Sequence, residues 1–347
     1  MSTAIALAKL PCEPDSPPLR ITLVEVRPKL STIGGTVNLT PLAMRYLDYL
    51  GVGSHLREKS IPLDDGLDYL SLRTGQRLGN IWGGIGARRA ARHDLVSSLL
   101  ETIQESHCDS IEIQWGRRLV DISETEDKVV VKFEGSDEPL RFDIMIGADG
   151  IHSQARHLFV EPNREKTFSG RVCVMGWNEE AHQKGESGGI PGMGKAEPPL
   201  KLASGESALR DTVIINGFNG ILLGSYYEPS RSKVYLVHIA LMDEPKDGNG
   251  RDGWNIVGND KIAIRDNVCD AYRGGKIEGL EQLVENCQDW HLWPVYILPG
   301  QGRWYRGRVL LLGDASHAVS YFNYPSIRIG LTCVVDGPAG REYWIRN

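Results

Sequence analysis

The stretch Val309-Leu310-Leu311-Leu312-Gly313-Asp314-Ala315-Ser316-His317 limits the fold more than any other part of the chain. Its apolar run is too short for a helix and reads as a buried strand. Gly313-Asp314 breaks that run, and the small residues after it open a helix. A strand that feeds a helix through so short a turn belongs to a parallel α/β arrangement, in which helices cover the sheet. Asp314 then sits beside the free backbone donors and the positive end of the helix dipole. It either caps the helix or accepts from a bound group, and taken alone the two readings weigh about equally.

The rest of the chain extends this pattern. Arg20–Val26 (RITLVEV) reads as a strand buried on both faces. A short helix precedes it over Ser2–Leu10 and is ended by Pro11. A second helix comes after it, with Thr40 as N-cap, Pro41 in its first turn and Gly51 as its stop. Ala43, Leu47 and Leu50 share one face of that helix. Leu67–Trp82 is patterned as a hairpin turning at Thr74-Gly75. Ala91–Glu105 is an amphipathic helix with Leu95, Leu99 and Ile103 on one stripe. Ile111–Trp115, Arg118–Glu134 and Arg141–Gly150 supply more strands. Thr167–Asp243 is strand-like, apart from a glycine-rich part at Lys184–Pro199. Helical pattern returns at Lys261–Tyr272 and Gly279–Cys287. No internal repeat is present. The chain is therefore α/β at both ends with a more antiparallel middle, which implies two domains, the first discontinuous. A length of 347 residues agrees with two.

Composition removes several functions. A net charge of −6 gives no support to nucleic-acid binding. The six cysteines are scattered without a C-x-x-C pair, which fits reduced thiols better than a disulfide framework or a zinc site, so no metal is expected. No apolar run approaches the roughly 18 to 20 residues of a membrane span. The short apolar start is followed by acidic and proline residues, unlike a signal peptide. A soluble cytoplasmic protein is expected.

Four places could carry chemistry. Glu25 ends the first strand, where an acid in a doubly wound sheet can accept both ribose hydroxyls of an adenine dinucleotide. A solvated charge is the simpler account. Ile146–Arg156 (IGADGIHSQAR) ends a strand in small residues and then offers Asp149, Ser153 and Arg156, with Gly150 free to take a positive φ. Here the simpler account is an Asp-Gly turn with a surface arginine. Gly313-Asp314 is the third place, and His317 beside it is expected to be packed or hydrogen-bonded. The fourth is Arg92, at the start of an amphipathic helix.

In this order the four resemble the FAD-dependent class A flavoprotein monooxygenases, the para-hydroxybenzoate hydroxylase-like aromatic hydroxylases. Thr3–Lys9 is similar to that family's first helix, and Ile21–Gly51 to its acid-bearing second strand with the loop and helix after it. Arg92–Leu100 is similar to the flavin-contacting arginine helix. Gly147–Arg156 resembles the Asp-Gly motif, and Gly307–Ala318 the Gly-Asp motif. The resemblance implies an incomplete FAD-binding Rossmann-like domain joined to a mainly antiparallel β substrate domain. It places Glu25 on the adenosine ribose, Gly35 close to the cofactor, Arg92 on the flavin chain and Asp314 on the ribityl hydroxyls. Asp149 and Gly150 would support the pyrophosphate region and the approach of the nicotinamide. FAD is the implied cofactor and NAD(P)H the reductant. The implied reaction is hydroxylation, with O2, of an aromatic or polyketide-like small molecule in secondary metabolism. No catalytic residue is assigned. The substrate pocket is expected from the strands around Val172–Trp177 and Val213–Tyr227, with Trp177, Phe218, Tyr226 and Tyr227 as candidate walls.

The chain also departs from the family. The family opens with a strand and G-x-G-x-x-G, whose backbone donors bind the pyrophosphate; here the first glycine is Gly34. After His317 the family's P-x-x-G-x-G is displaced, with Pro325, Arg328 and Gly330 out of register, and the tail resembles nothing in the family. A chain truncated at both ends that retains little or no FAD is the expectation, and a translated intron after Val319-Ser320 would explain the tail. The division expected is 1–60, 85–165 and 300–330 for the FAD-binding domain, 61–84 and 166–299 for the substrate domain, and 331–347 for an aberrant tail. The alternatives are a non-catalytic remnant acting as a binding protein and another flavin oxidoreductase of the same fold.

Overall fold

The computed structural model describes residues 1–11, 17–31, 35–136, 138–177, 200–226, 234–245, 251–287 and 289–318. The chain runs through α1 (Ser2–Ala8), β1 (Ile21–Glu25), β2 (Thr36–Leu39), α2 (Pro41–Leu50), α3 (Gly53–Lys59), β3 (Ser60–Pro62), β4 (Leu67–Ser71), β5 (Gln76–Ile81) and β6 (Arg88–Ala91). It continues with α4 (Arg92–Ser106), β7 (Ile111–Trp115), β8 (Leu119–Glu124), β9 (Val129–Phe133), β10 (Leu140–Phe142), β11 (Met145–Gly147) and a π-helical turn (Arg156–Val160). Then come β12 (Thr167–Trp177), β13 (Thr212–Asn216), β14 (Ile221–Tyr226), β15 (Val234–Leu241), α5 (Arg251–Asn259), α6 (Lys261–Tyr272) and α7 (Leu280–Asn286). The last elements are β16 (Asp289–Ile297), β17 (Tyr305–Arg306), β18 (Val309–Leu311) and α8 (Asp314–His317).

Two parallel pairings anchor the α/β part. β1 lies beside β7, with Glu25 level with Trp115. β11 lies beside β18, with Gly147 level with Leu311, although the two strands are far apart in sequence. α1, α2 and α4 cover the first pair through Ile5, Leu47, Leu99 and Ile103, with Ile21 and Leu23 packed against them. The second pair shares a core with the meander β8–β9–β10 through Val129, Val131, Val309 and Leu311, and Val24 of β1 packs against it. All five residues of β1 are only partly buried. This corrects the expectation of burial on both faces: among the described residues β7 is the only ladder partner of β1.

The remaining sheet has seven strands in the order β16-β12-β15-β14-β13-β4-β5. It is antiparallel except where β13 meets β4. One face, carrying Val172, Val174, Leu236, Leu222 and Val213, is sealed by α6 and α7. The hairpin turning at Thr74-Gly75 forms as expected, with Gly75 at φ 67°. Helix α2 also begins and ends as its sequence dictates. Thr40 Oγ1 accepts from the Ala43 N–H at 3.2 Å, and Gly51 takes φ 88°. The pattern does not show β2, β3, β6 and α3. Strand β6 (Arg-Arg-Ala-Ala) has no β-forming residue, and it exists because β2 and β3 flank it on both sides. The glycine-rich part at Lys184–Pro199 and the tail beyond Ala318 lie outside the described residues.

Candidate cofactor and substrate site

The structure joins four of the sequence-derived places into two hydrogen-bonded clusters, with Glu25 bonded to neither among the described residues. In the first cluster, the register of β2 against β6 sets Thr36 opposite Ala91. The next residue on each side, Gly35 and Arg92, is then joined by a hydrogen bond from the Arg92 N–H to the Gly35 carbonyl at 3.0 Å. Gly35 sits at φ 94°, and a Cβ there would lie 3.2 Å from the Tyr235 hydroxyl and 3.7 Å from Arg92 Cδ. Backbone thus runs close under a tyrosine and an arginine, an approach that only glycine allows without strain. The Arg92 side chain is exposed and makes no hydrogen bond or ion pair among the described residues.

In the second cluster, parallel β11 and β18 deliver two turns side by side. The Leu312 N–H bonds to the Gly147 carbonyl at 2.9 Å. Asp149-Gly150 and Gly313-Asp314 therefore leave neighbouring strands at the same level. Asp149 Oδ2 accepts from the Gln154 N–H at 2.6 Å and the Ala155 N–H at 3.1 Å, so it shapes its own turn. Gly150 takes φ 76°, as its Asp-Gly turn requires. Arg156 is fully buried, contrary to a surface placement. It donates to the carbonyls of Ala315 at 2.8 Å and Ile151 at 2.5 Å. Burial pulls its guanidinium below the ordinary arginine range, and the nearby Arg164 adds to the shift. Its charge is spent on holding the two turns together.

Gly313, at φ 59°, occupies the cap position of α8, and Asp314 follows it in the first turn. The Asp314 carboxylate is exposed and accepts no hydrogen bond among the described residues, so capping does not account for it. His317 is packed, as expected: it stacks on Trp304 with centroids 4.8 Å apart and meets Ser316 Oγ at 2.6 Å. Glu25 ends β1, with no hydrogen bond to either cluster among the described residues. One of its oxygens accepts from the Arg27 N–H at 3.0 Å.

The second face of the seven-stranded sheet is covered at Ile214 by Leu63, Leu67 and Ala87, and elsewhere it mixes apolar residues with a buried polar row. Strand alternation puts Met175, Val237 and Leu223 on it at one level of the register. All three are partly buried. Tyr235 lies on the same face, at the end nearest Gly35, and burial drives its phenol pKa upward, so it stays neutral. Of the aromatic walls expected, Tyr226 belongs to the opposite, helix-covered core. Phe218 is exposed beneath the Arg73 guanidinium. The Trp177 side chain and Tyr227 lie outside the described residues. Sequence reasoning missed Tyr235 and the buried Arg89 of β6. A shallow depression of about 270 Å³ between α4 and β7, walled by Leu100, Cys108, Ile113 and Trp115, is lined by none of the candidate residues. No group of histidine, cysteine or acidic residues could hold a metal among the described residues, and no helix there is long and apolar enough to cross a membrane.

No family profile matches the chain. Curated relatives do. The chain is 26% identical over 327 residues to a FAD-dependent monooxygenase of Nectria sp., covering 86% of this chain and 64% of that protein. It is 29% identical over 312 residues to the 3-hydroxybenzoate 6-hydroxylase of Klebsiella oxytoca, covering 88% and 69%. It is 25% identical over 313 residues to a salicylate hydroxylase of Pseudomonas putida, covering 87% and 66%. The chain thus spans about two thirds of the length of these relatives. Among solved structures, CtdE in complex with FAD superposes with a TM-score of 0.66 at 16% identity, over 91% of this chain and 75% of that one. Klebsiella pneumoniae HpxO complexed with FAD and uric acid superposes with a TM-score of 0.61 at 17% identity, over 87% and 74%. The fold is that of the FAD-binding monooxygenases, and in sequence the chain is similar to FAD-dependent monooxygenases and aromatic hydroxylases, in line with the resemblance to the class A flavoprotein monooxygenases.

Proposed function

We propose that the chain is an FAD-dependent monooxygenase that uses NAD(P)H and O2 to hydroxylate an aromatic or polyketide-like small molecule. The observation that carries this reading is the pairing of β11 with β18. It sets the Asp-Gly and Gly-Asp turns together and leaves the Asp314 carboxylate open at their junction. The relatives, two of them hydroxylases of small phenolic acids by name, support the reaction class.

The residues present fit two portions of an FAD. Glu25 keeps a carboxylate oxygen for ribose hydroxyls, and Asp314 offers an acceptor for the ribityl chain. Arg92 is an exposed cation, without an ion pair among the described residues, beside the close backbone approach at Gly35. Asp149 and Gly150 shape the neighbouring turn. A glycine-rich pyrophosphate turn is not among the described residues. When bound, the cofactor passes two electrons from NAD(P)H to O2, so that one oxygen atom enters the ring and the other leaves as water. The chain's own part is to place an electron-rich ring on the second face of the seven-stranded sheet, shielded from water. The FAD-binding residues would come from 1–60, 85–165 and 300–330, and the substrate sheet from 61–84 and 166–299. A cytoplasmic location fits reduced cysteines. The test is NAD(P)H oxidation by the protein supplied with FAD, run across a panel of phenols. At least one phenol should stimulate oxidation and emerge hydroxylated; flavin binding without stimulation by any phenol would remove the reading.

A further inference from the structure

Arg89 is buried in the middle strand of the sheet β2-β6-β3, with 1% of its surface exposed. Its Nε donates to Asn38 Oδ1 at 2.7 Å, and one terminal nitrogen donates to the same oxygen at 2.5 Å. The other terminal nitrogen donates to Thr212 Oγ1. Asn38 is its ladder partner on β2, whereas Thr212 opens β13 of the seven-stranded sheet. One side chain therefore joins both sheets. Burial pulls the guanidinium down to about 9, with Asp211 acting in the opposite sense, so it remains charged at neutral pH. Desolvating a charge is costly, and apolar filling of the same space is often as stable or more so. Stability alone is a poor reason for an arginine here.

Its position supplies a better one. Along β2, Asn38 is three residues from Gly35; along β6, Arg89 is three residues from Arg92. On the other side, Thr212 is level with Ser225, and Ser225 with Tyr235, across β13, β14 and β15. That row is buried, and it lies on the same face as Met175, Val237 and Leu223. Ser225 Oγ and Asn38 Nδ2 find no hydrogen-bond partner among the described residues, so the junction is polar beyond what packing needs.

We propose that Arg89 is a positioning residue which, through Asn38 and Thr212, fixes the spacing between the cofactor corner at Gly35 and Arg92 and the sheet face that receives the aromatic ring. This rests on the flavin monooxygenase reading. A pin of this kind makes binding on one side felt on the other, and the coupling is reciprocal.

The experiment titrates salicylate and 3-hydroxybenzoate into the protein with and without saturating FAD, following tryptophan fluorescence. In the wild type, FAD tightens the better-bound phenol by about fivefold or more. Thr212→Ser keeps the acceptor and the coupling. Thr212→Val and Arg89→Met reduce it to less than about twofold, while Thr212→Val leaves phenol affinity without FAD within about threefold of wild type. A merely structural role would weaken both affinities and leave their ratio unchanged. The proposal is overturned if Thr212→Val retains the wild-type ratio, if Thr212→Ser loses it equally, or if a wild type that quenches flavin fluorescence shows no coupling or binds neither phenol. Each of those results leaves FAD binding standing. A wild type that never quenches flavin fluorescence removes the flavin reading and this proposal with it.

Discussion

Arg156 donates to the backbone carbonyl of Ala315 at 2.8 Å, closing a contact between positions 159 residues apart. The same guanidinium holds the Ile151 carbonyl, and Arg164 holds the Ser316 carbonyl from the other side at 2.9 Å. Arg156 thus ties the Asp-Gly turn to the Gly-Asp turn, and Arg164 ties the latter to the Pro299 carbonyl, without relying on the carboxylates that would meet a cofactor.

Replacing Arg156 by Met strands one buried and one half-buried carbonyl and should cost about 2 to 3 kcal/mol of stability. Chemical denaturation would show this as a lower midpoint with an unchanged slope. Arg156→Lys, able to reach one carbonyl, should fall between the two.

Gly35 should tolerate no side chain. Gly35→Ala meets the Tyr235 hydroxyl at 3.2 Å and also strains a backbone at φ 94°. The expected loss is about 1 to 2 kcal/mol. Adding Tyr235→Phe should relieve the contact but not the strain, so the double variant recovers only part of the loss. Full recovery would mean that the backbone there is unstrained. Thermal unfolding of the two variants decides this.

His238 Nδ1 meets the Tyr272 hydroxyl at 2.7 Å inside the helix-covered core, and burial pulls the imidazole down to about 4. An unfolded histidine titrates near about 6.5. Between those values the unfolded chain takes up a proton that the folded chain refuses. The contribution is therefore complete above about pH 6.5 and falls as pH drops towards 4, by about 3 kcal/mol in all. His238→Gln removes the titration. The stability advantage of the wild type over this variant should shrink by that amount between pH 7 and pH 4, as read from urea midpoints.

Much of this arrangement is legible in the sequence where local chemistry and tertiary demand agree. Thr40-Pro41 and Gly51 bound α2 because their capping geometry is local. Leu95, Leu99 and Ile103 face inward because the period of an amphipathic helix leaves no other choice. Other features depend on partners distant in sequence. Arg89 and Arg156 look like surface cations, and their burial is decided by Asn38, Thr212 and Ala315, which no spacing rule connects to them. Strand β6 is imposed by its neighbours against its own composition, and α3 buries little beyond Leu56 to announce it. Tyr226 and Tyr235 are equally aromatic. Only the register of β14 and β15 sends one into the core and the other towards Gly35.

The most direct measurement is titration of FAD into the purified protein, followed by quenching of flavin fluorescence, for the wild type, Glu25→Ala, Asp314→Ala and the control Glu206→Ala. Glu206 is an exposed carboxylate paired with Arg77, remote from both turns. Loss of one charge-assisted hydrogen bond should raise the dissociation constant about tenfold in each of the first two variants, with Glu206→Ala unchanged. Wild-type affinity in both Glu25→Ala and Asp314→Ala would contradict the account.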